Sequence, residues 1–478
     1  MNWSVRLQGV GLASVLVVAG CAVPKKGGFE DVTAMVGARA AHRVHWSQGG
    51  PEDREIEAAV DKLLAQPLDV DGAVQVALLN NRRLQALYEE LGVAQADLVQ
   101  AGLLRNPVLF GSSRSSNRSS SGNNTEFGIA QDFLDILVRP ARRKLASAEF
   151  EGTKLRVAHA VLDHAADTEV AYSTLQGSMH ATAMLQAITD AAEAAYEFAR
   201  RQQEAGNITR LDLLAHQGLY EQARIDLTRS EATVLEDRER LTSLMGLWGT
   251  DTQWRIPERL PDLPTVEVDL AHLESLAISR RLDLAAERWR IASIAKALSI
   301  TLHWRYVPLI NVGVDTERDT DGERVTGPSL AIELPIFDHG QAKVARVEAL
   351  LREGQQRMTA LAIEIRSDVR AARNKLVFSR ELVEHYRGVV IPVRERSVAE
   401  SQRYYNYMLV GVYQLLQAKR DELDAYGDYI GSLRDYWVAR AELKRAVGGS
   451  FTPDAPDSSA PPMREPRSQD DDASHHDH

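Results

Sequence analysis

Apolar residues recur at every third or fourth position over most of this 478-residue chain, which is the spacing of helices that pack on one another. Two such stripes are Leu84, Leu87, Leu91, Ala94 and Leu98, and Leu361, Ile365, Val369, Ala372 and Leu376. The pattern predicts two very long helices, from Val138 to about Ala205 and from Gln341 to about Tyr407. At ~1.5 Å per residue, each would be on the order of 100 Å long, a length typical of coiled coils.

Glycine and proline mark where these long helices bend or turn back. Glycine at 206 and at 411 interrupts the two patterns, and the returning helices are predicted to end at Gly246 and Gly448. Pro392 lies inside the second long helix and is predicted to kink it. The chain is therefore expected to form helical hairpins.

A period of two appears in only a few short stretches. From Ile310, the sequence INVGVD alternates apolar with small or polar residues, which predicts a strand with one apolar and one wet face. A polar tract then turns the chain, and Leu330, Ile332 and Leu334 resume the alternation until Pro335. The sequence predicts a β-hairpin within a mainly helical protein.

The sequence contains an internal repeat, in which the same order of predicted elements occurs twice at an offset of roughly 200 residues. NNRRLQALYEELGVAQADLV from Asn80 matches ISRRLDLAAERWRIASIAKAL from Ile278. Later, NPVLFGSS corresponds to VPLINVGV, and FGIAQDFLDI to LAIELPIFDH, so that Asp135 and Asp338 occupy matching places. Each repeat thus predicts one β-hairpin, and the chain four strands.

The duplication sets the domain boundaries. The first repeat is predicted at 61–260, with its hairpin at about 107–134 and its helical tip near 206–211. The second is predicted at 261–449, with its hairpin at about 307–336 and its tip near 408–413. The fold class expected is mainly α with a small β part.

Four strands cannot close a barrel, because small closed barrels begin near eight strands. Their apolar faces are predicted to point outward and their polar faces inward, as in a barrel wall that faces lipid and encloses water. Closure then requires several chains, and three would supply about twelve strands.

The first 21 residues have the layout of a secretory signal, MNWSVRLQGVGLASVLVVAGC. Residues 1–20 are predicted to be removed, and Val18 to Cys21 resemble a bacterial lipobox, so Cys21 is predicted to be lipidated. Ala22 rather than aspartate goes with sorting of bacterial lipoproteins to the outer membrane. The alternative is an ordinary signal peptide followed by a chance cysteine. Residues 21–60 are interpreted as a lipidated linker.

Charge and motifs narrow the function classes. The formal net charge of −11 gives no electrostatic support for a nucleic-acid partner. No nucleophile elbow, phosphate-binding glycine loop or zinc-protease signature occurs, so neither an enzyme nor a cofactor is predicted. The proline-, serine- and aspartate-rich tail at 450–478 is predicted to be disordered. His475, His476 and His478 are weak metal-binding candidates, against the alternative of a solvated tail.

Lipobox, duplicated plan, the phrase LPIFDHGQ and the stretch RYYNYMLVGVYQLLQ together resemble the TolC-like outer-membrane factors of tripartite efflux pumps. The resemblance covers roughly residues 60–449. It implies a homotrimer in the outer-membrane lipid of a Gram-negative bacterium, with a twelve-stranded barrel continued by a periplasmic α-barrel. It also implies two protein partners, a periplasmic adaptor and an inner-membrane pump. The second tip and the histidine-ending tail are closer to the heavy-metal branch.

In that family the helical tips contact the adaptor and form the closed aperture. Carried over by position, the tip residues are Gly206, Asn207, Ile208, Thr209, Leu211, Leu214, Val410, Gly411, Val412, Leu415 and Leu416. Exposed apolar residues at a turn also indicate a partner surface on physical grounds. The alternative is that the leucines only close the hairpin. Met408 aligns with Gly206, so the second tip departs from the first.

The aperture is expected to lack an acidic ring. Gln414 and Gln417 stand where relatives carry aspartates, and Asp212, Asp421 and Asp424 are the remaining acidic candidates. Carboxylates there would be tripled by three-fold symmetry and would attract cations. The alternative for the three aspartates is an ordinary solvated helix surface.

Three functions remain open from sequence. The leading hypothesis is a passive export duct for small toxic compounds or metal ions. The alternatives are a structural lipoprotein whose coiled coils span the periplasm, and a duct of the same kind that secretes a polypeptide. Outward apolar strands favour a duct over a scaffold.

Overall fold

The structure is a computed structural model that describes residues 23–115, 123–267, 270–306 and 310–450. Cys21 and the three tail histidines lie outside these residues. The helices and strands are α1 (Phe29–Ala40), α2 (Pro51–Leu64), α3 (Val70–Asn80), α4 (Arg82–Gly102), β1 (Val108–Arg114), β2 (Asn124–Asp132), α5 (Phe133–Glu204), α6 (Arg210–Met245), α7 (Leu273–Arg280), α8 (Leu282–Trp304), β3 (Ile310–Arg318), β4 (Arg324–Ile332), α9 (Gln341–His385), α10 (Ile391–Asn406) and α11 (Val412–Val447). The predicted fold class, mainly α with a small β part, is confirmed.

Four helical columns form the long part of the chain. Helix α5 packs between α6 and α11, and α11 packs in turn on α9 and α10. The order is therefore α6, α5, α11 and then α9 with α10, so α6 and α9–α10 lie at the two outer positions. Among the described helices, none combines the length and the apolar character needed to cross a bilayer.

The long helices follow the predicted lengths with two differences. Helix α5 has 72 residues and begins at Phe133, five residues before the predicted start, with Pro140 inside it. Between α9 and α10, residues Tyr386–Val390 form a π-helical turn, and Pro392 follows as the second residue of α10. A proline ring clashes with the carbonyl four residues earlier, here that of Gly388, and the wider turn accommodates it. The predicted interruption at Pro392 is confirmed.

Matching backbone positions in the two repeats adopt matching conformations. The two helical hairpins end at Gly246 and Gly448, whose φ angles are 69° and 87°. Each glycine packs against the residue that starts another helix. A Cβ added at Gly246 would lie 2.8 Å from Asn81 Cα, and a Cβ added at Gly448 would lie 3.4 Å from Arg281 Cα. Asn81 and Arg281 are the N-caps of α4 and α8. Glycine is therefore required at both ends by its positive φ and by close packing.

The seams predicted from the apolar stripes are in the core. Ile365, Val369 and Leu376 are buried between α9 and its neighbours, and Leu84 and Leu91 are buried on α4. Tyr436 and Leu433 on α11 complete the cluster around α9.

Residues 23–60 are not an extended linker. They contain α1 and α2, and Phe29 and Trp46 pack against Tyr88 of α4, with the Phe29 and Tyr88 ring centroids 5.1 Å apart. Lys154 of α5 is paired with Asp31 of α1. Apolar residues spaced by three and four in FEDVTAMV give α1 a buried face, which explains why this segment is helical.

The four strands form one antiparallel sheet in chain order, β1-β2-β3-β4. The register places Leu109, Ile129, Val314 and Pro328 in one row across the sheet. Strand β4 ends at Ile332, so the prediction that it continues to Leu334 is wrong. Ile332 pairs with Ile310, the first described residue of β3, and residues 333–335 are not in a strand. Pro328 lies within β4, an edge strand, where proline is tolerated.

The two faces of the sheet differ as predicted. One face is apolar and exposed, and it includes Leu109, Phe127, Ile129, Val312, Val314 and Leu330. The other face is mainly small or polar and includes Glu126, Asp315 and Glu317, with Phe110 and Val325 as apolar members. Asn311 and Val312, adjacent in sequence, therefore point to opposite faces.

Candidate functional site

The first helical tip is a closed turn held by backbone hydrogen bonds. Helix α5 ends at Glu204, and Gly206 has φ of 78°. The amide N–H of Gly206 donates to the carbonyl of Gln203 (2.9 Å), and that of Asn207 donates to the carbonyl of Gln202 (2.8 Å). This is the Schellman arrangement that ends helices at a left-handed residue.

Helix α6 then starts at a reciprocal cap between Thr209 and Asp212. The hydroxyl of Thr209 accepts from the Asp212 amide (3.2 Å), and the Asp212 carboxylate accepts from the Thr209 amide (3.1 Å). Such a box satisfies N–H groups that the first helical turn leaves open. Asp212, an aperture candidate, thus has a structural role at the tip.

The second tip repeats the turn without a glycine. Met408 has φ of 59°, and its amide donates to the carbonyl of Tyr405 (2.9 Å). The Leu409 amide donates to the carbonyl of Tyr404 (2.9 Å). Gly411 is the N-cap of α11 with φ of −78°, an ordinary value. The left-handed position of this tip is therefore Met408, in agreement with the sequence alignment to Gly206.

The tip side chains divide into two groups. Leu211 (76%), Leu214 and Met408 (93%) are exposed. Half-buried between the helices are Ile208, Val410, Val412, Leu415 and Leu416. Sequence reasoning missed four exposed apolar residues of the second tip, which are Tyr407, Met408, Leu409 and Tyr413. Their position at the turn that matches 206–211 could have indicated them.

The other aperture candidates lie along the start of α11. Asp421 accepts from Gln417 Nε2 (2.8 Å) and pairs with Arg394 of α10 (3.1 Å). Gln414 and Asp424 are exposed. Asp421 is therefore neutralised by its own chain, and Asp424 is the acidic candidate that faces solvent.

Further along α11 from the tip, a line of polar contacts joins this helix to the α9–α10 column. The Tyr426 hydroxyl donates to Glu395 (2.6 Å), and the Tyr386 hydroxyl donates to Asp428 (3.2 Å). The hydrogen bond to Glu395 raises the pKa of Tyr426 to about 12. With Arg394 and Asp421, these contacts fix the second hairpin across the π-helical turn.

Two histidines of α5 have structural contacts. His164 Nε2 lies 2.9 Å from the carbonyl of Leu244, and burial lowers the pKa of His164. His159 lies 3.3 Å from Asp163 and 3.8 Å from Asp283. In the part of the chain that the structure describes, no group of three or more His, Cys, Asp or Glu could hold a metal ion.

Comparison with known proteins identifies the class. A sequence model of the outer membrane efflux protein family matches residues 73–247. The cobalt-zinc-cadmium resistance protein CzcC of Cupriavidus metallidurans is 23% identical over 397 residues, which cover 80% of this chain and 91% of CzcC.

Solved structures share the fold. A membrane protein from Pseudomonas aeruginosa gives a TM-score of 0.70 at 18% identity, covering 79% of this chain and 92% of that chain. The CmeC outer membrane channel of Campylobacter jejuni gives a TM-score of 0.69 at 14% identity, covering 85% and 89%. Residues 73–247 are therefore similar to the outer membrane efflux protein family, and the fold of the chain is similar to that of solved outer membrane channels.

Proposed function

We propose that this chain is the outer-membrane duct of a tripartite efflux system, which passively exports small toxic compounds or metal ions. The observation that carries the proposal is the four-stranded sheet with one exposed apolar face, joined directly to helical hairpins of about 100 Å. A sheet with an apolar outer face and a polar inner face is suited to a barrel wall in lipid.

The unpaired edges of the sheet support assembly of three chains. Strands β1 and β4 each have one partner in the chain, so each leaves a row of backbone groups open. Pairing β1 of one chain with β4 of the next would satisfy both rows, and three chains would close a barrel of about twelve strands. The outer helices α6 and α9–α10 would meet at the same contact and close the helical part.

The tips are the proposed docking surface for a periplasmic adaptor, with an inner-membrane pump completing the path. Support comes from Leu211, Leu214, Met408 and Leu409, which are exposed at the helical tips within the described part of the chain. Half-buried residues such as Leu415 would support the turn rather than contact the partner.

An acyl anchor on Cys21 is also part of the proposal. Its support is the lipobox-like sequence from Val18 to Cys21, with Cys21 as the single cysteine of the sequence.

Metal ions are proposed as the cargo class, because CzcC is a cobalt-zinc-cadmium resistance protein. A secreted polypeptide remains the alternative cargo. A purely structural lipoprotein is disfavoured, since it would not need an exposed apolar sheet. No catalytic activity is proposed for a chain that is similar to a family of efflux channels.

The test is to purify the full chain from outer membranes and reconstitute it into planar bilayers. A protein of trimer mass with steady conductance is expected. A well-folded protein that gives no conductance would support the scaffold and refute the duct. Metal sensitivity of a deletion strain, restored by the parent chain, would identify the cargo class.

A further inference from the structure

Exposed apolar side chains continue beyond the sheet, on the side where the long helices start. Leu334, Ile336 and Phe337 follow β4, and Phe337 is 91% exposed. Phe133 and Leu137 are exposed in the first turns of α5. Leu334 and Phe133 keep the alternation of the apolar sheet face, since they follow Ile332 and Gln131 by two positions. The apolar face therefore extends past the last strand pair.

Basic residues come next along the same segments. Arg139, Arg143 and Lys144 are exposed on α5, and Lys343 and Arg346 are exposed on α9. At ~1.5 Å per residue, Arg139 lies about 9 Å and Lys144 about 16 Å from the start of α5. The order outward from the sheet is thus apolar side chains first and cations second.

We name the segments 103–107, 132–144, 302–306 and 333–346 the junction collar. The collar contains eight Lys and Arg and four Asp and Glu, a net charge of +4, whereas the whole chain has −11. One of the acids, Asp135, is buried and paired with Arg142 at 2.8 Å. The collar is therefore a cationic belt on an acidic protein.

We propose that the junction collar binds the anionic headgroups of the periplasmic leaflet and so fixes the height of the duct in the membrane. The proposal rests on the proposed outer-membrane function. Two features select lipid as the occupant: continuity with the apolar face of the sheet, and charge complementarity to lipid phosphates. Long cationic side chains can lay their stems along apolar surface and place their charges at headgroups.

The energetics favour a lipid of negative charge over a neutral one. Basic residues near an anionic surface strengthen binding by roughly fivefold each, and the effect weakens as salt rises. Phe337 and Ile336 would lie in the interface region, where aromatic and apolar side chains bury at the edge of the hydrocarbon.

The first experiment measures retained lipid. The full chain is placed in nanodiscs made from equal parts of phosphatidylcholine and phosphatidylglycerol, then transferred to detergent, and the lipids still bound to the trimer are counted by native mass spectrometry. The collar variant carries Arg139→Gln, Arg143→Gln and Lys144→Gln. The control carries Arg201→Gln, Arg210→Gln and Arg420→Gln near the tips, which removes the same charge.

The parent and the control are expected to retain phosphatidylglycerol in preference to phosphatidylcholine, and the collar variant to lose that preference by about tenfold or more. High salt should reduce the preference of the parent. Equal retention of the two lipids by the parent, or an unchanged preference in the collar variant, would overturn the proposal. Normal conductance in that case would leave the duct function standing.

A second measurement separates lipid from a neighbouring copy as the occupant. Phe337→benzoylphenylalanine places a photo-cross-linker at an apolar collar residue that is 91% exposed. A phospholipid adduct on illumination supports the proposal, and a covalent dimer of chains refutes it by making the collar a subunit contact. This measurement also decides the matter if the triple variant does not fold.

Discussion

Met408 occupies a backbone conformation that favours glycine, at a position where the other repeat has Gly206. A left-handed residue with a side chain costs on the order of 1–2 kcal/mol. Its side chain contributes little to the core, since it is almost fully exposed. Strain kept at an exposed position points to a contact outside the chain, and we infer that Met408 is retained for the adaptor.

Met408→Gly should therefore stabilise the second tip by about 1 kcal/mol and weaken adaptor binding. Hydrogen exchange of the Leu409 amide should slow in the variant, and an adaptor pull-down should lose capture. Gly206→Met is the reciprocal control and should speed exchange at Asn207. Unchanged exchange in both variants would show that the left-handed turn carries no strain.

Val312 and Asn311 test the orientation of the sheet at adjacent positions. Val312→Arg should cost about 2–4 kcal/mol if the residue faces lipid near the bilayer centre, and Asn311→Arg on the polar face should be much milder. Resistance of the folded trimer to denaturant in detergent and in lipid measures both. Equal losses for the two variants would mean that the inner and outer faces are assigned wrongly.

At the scale of elements, three contacts join the π-helical turn and α10 to α11 in the second helical hairpin. They join Arg394 to Asp421, Tyr426 to Glu395 and Tyr386 to Asp428. The π-helical turn at 386–390 lies at the upper end of this line, where the long column changes from α9 to α10. Opening of the hairpin would break these contacts together.

Arg394→Gln combined with Tyr426→Phe should loosen the hairpin and raise the single-channel conductance of the resting duct. Because the pKa of Tyr426 is raised from 10 to about 12, its contribution is present below pH 10 and lost as pH rises towards 12. Conductance from pH 6 to 9 should therefore not respond to this tyrosine. Arg373→Gln, an exposed change on α9, is the control. A double variant that conducts like the parent would argue against a restraining role.

Elements with a clear period were predictable from sequence, and those that depend on neighbours were not. The stripe through Ile365 and Leu376 predicted a seam because a helix of this length must bury one face. The end of β4 was missed because Leu334 continues the alternation of apolar residues although it lies outside the strand. Helix α1 was missed because the segment was classed by its place after Cys21. The exposed apolar residues around Met408 were missed, although their place at the turn that matches 206–211 could have indicated them.

At the scale of the whole molecule, the outer helices carry apolar residues that the chain does not cover. Phe378 and Leu382 are exposed on α9, Val389 in the π-helical turn and Val393 on α10. At 100° per residue, Phe378 and Leu382 lie within about 40° of each other around α9. Leu235 and Ile225 are exposed on α6 at the opposite outer position. These two stripes suit head-to-tail contact between copies.

Phe378→Asp with Leu382→Asp should reduce the trimer to smaller species, because it places charges in the proposed contact. Native mass spectrometry gives the number of chains directly. Arg373→Asp, on the other side of α9, should leave three chains together. A parent protein of one or two chains would contradict the assembly itself.

Divalent cations should block the parent duct weakly, because Gln414 and Gln417 are neutral and Asp421 is paired with Arg394. Gln414→Asp should create a block by placing three carboxylates around one axis. Conductance with divalent cations on the periplasmic side measures both. Strong block of the parent that survives Asp424→Asn would show that the narrowest point lies elsewhere.

The two helix caps at the tips give the proposed trimer an alternation in stiffness. Thr209 and Asp212 lock the first tip by reciprocal hydrogen bonds, whereas Gly411 has no side chain to cap the second. In a trimer, three rigid first tips would alternate with three more flexible second tips around the ring. A partner that contacts all six tips equally would displace only the three second tips. The aperture could then widen at these three positions while the three first tips stay in place.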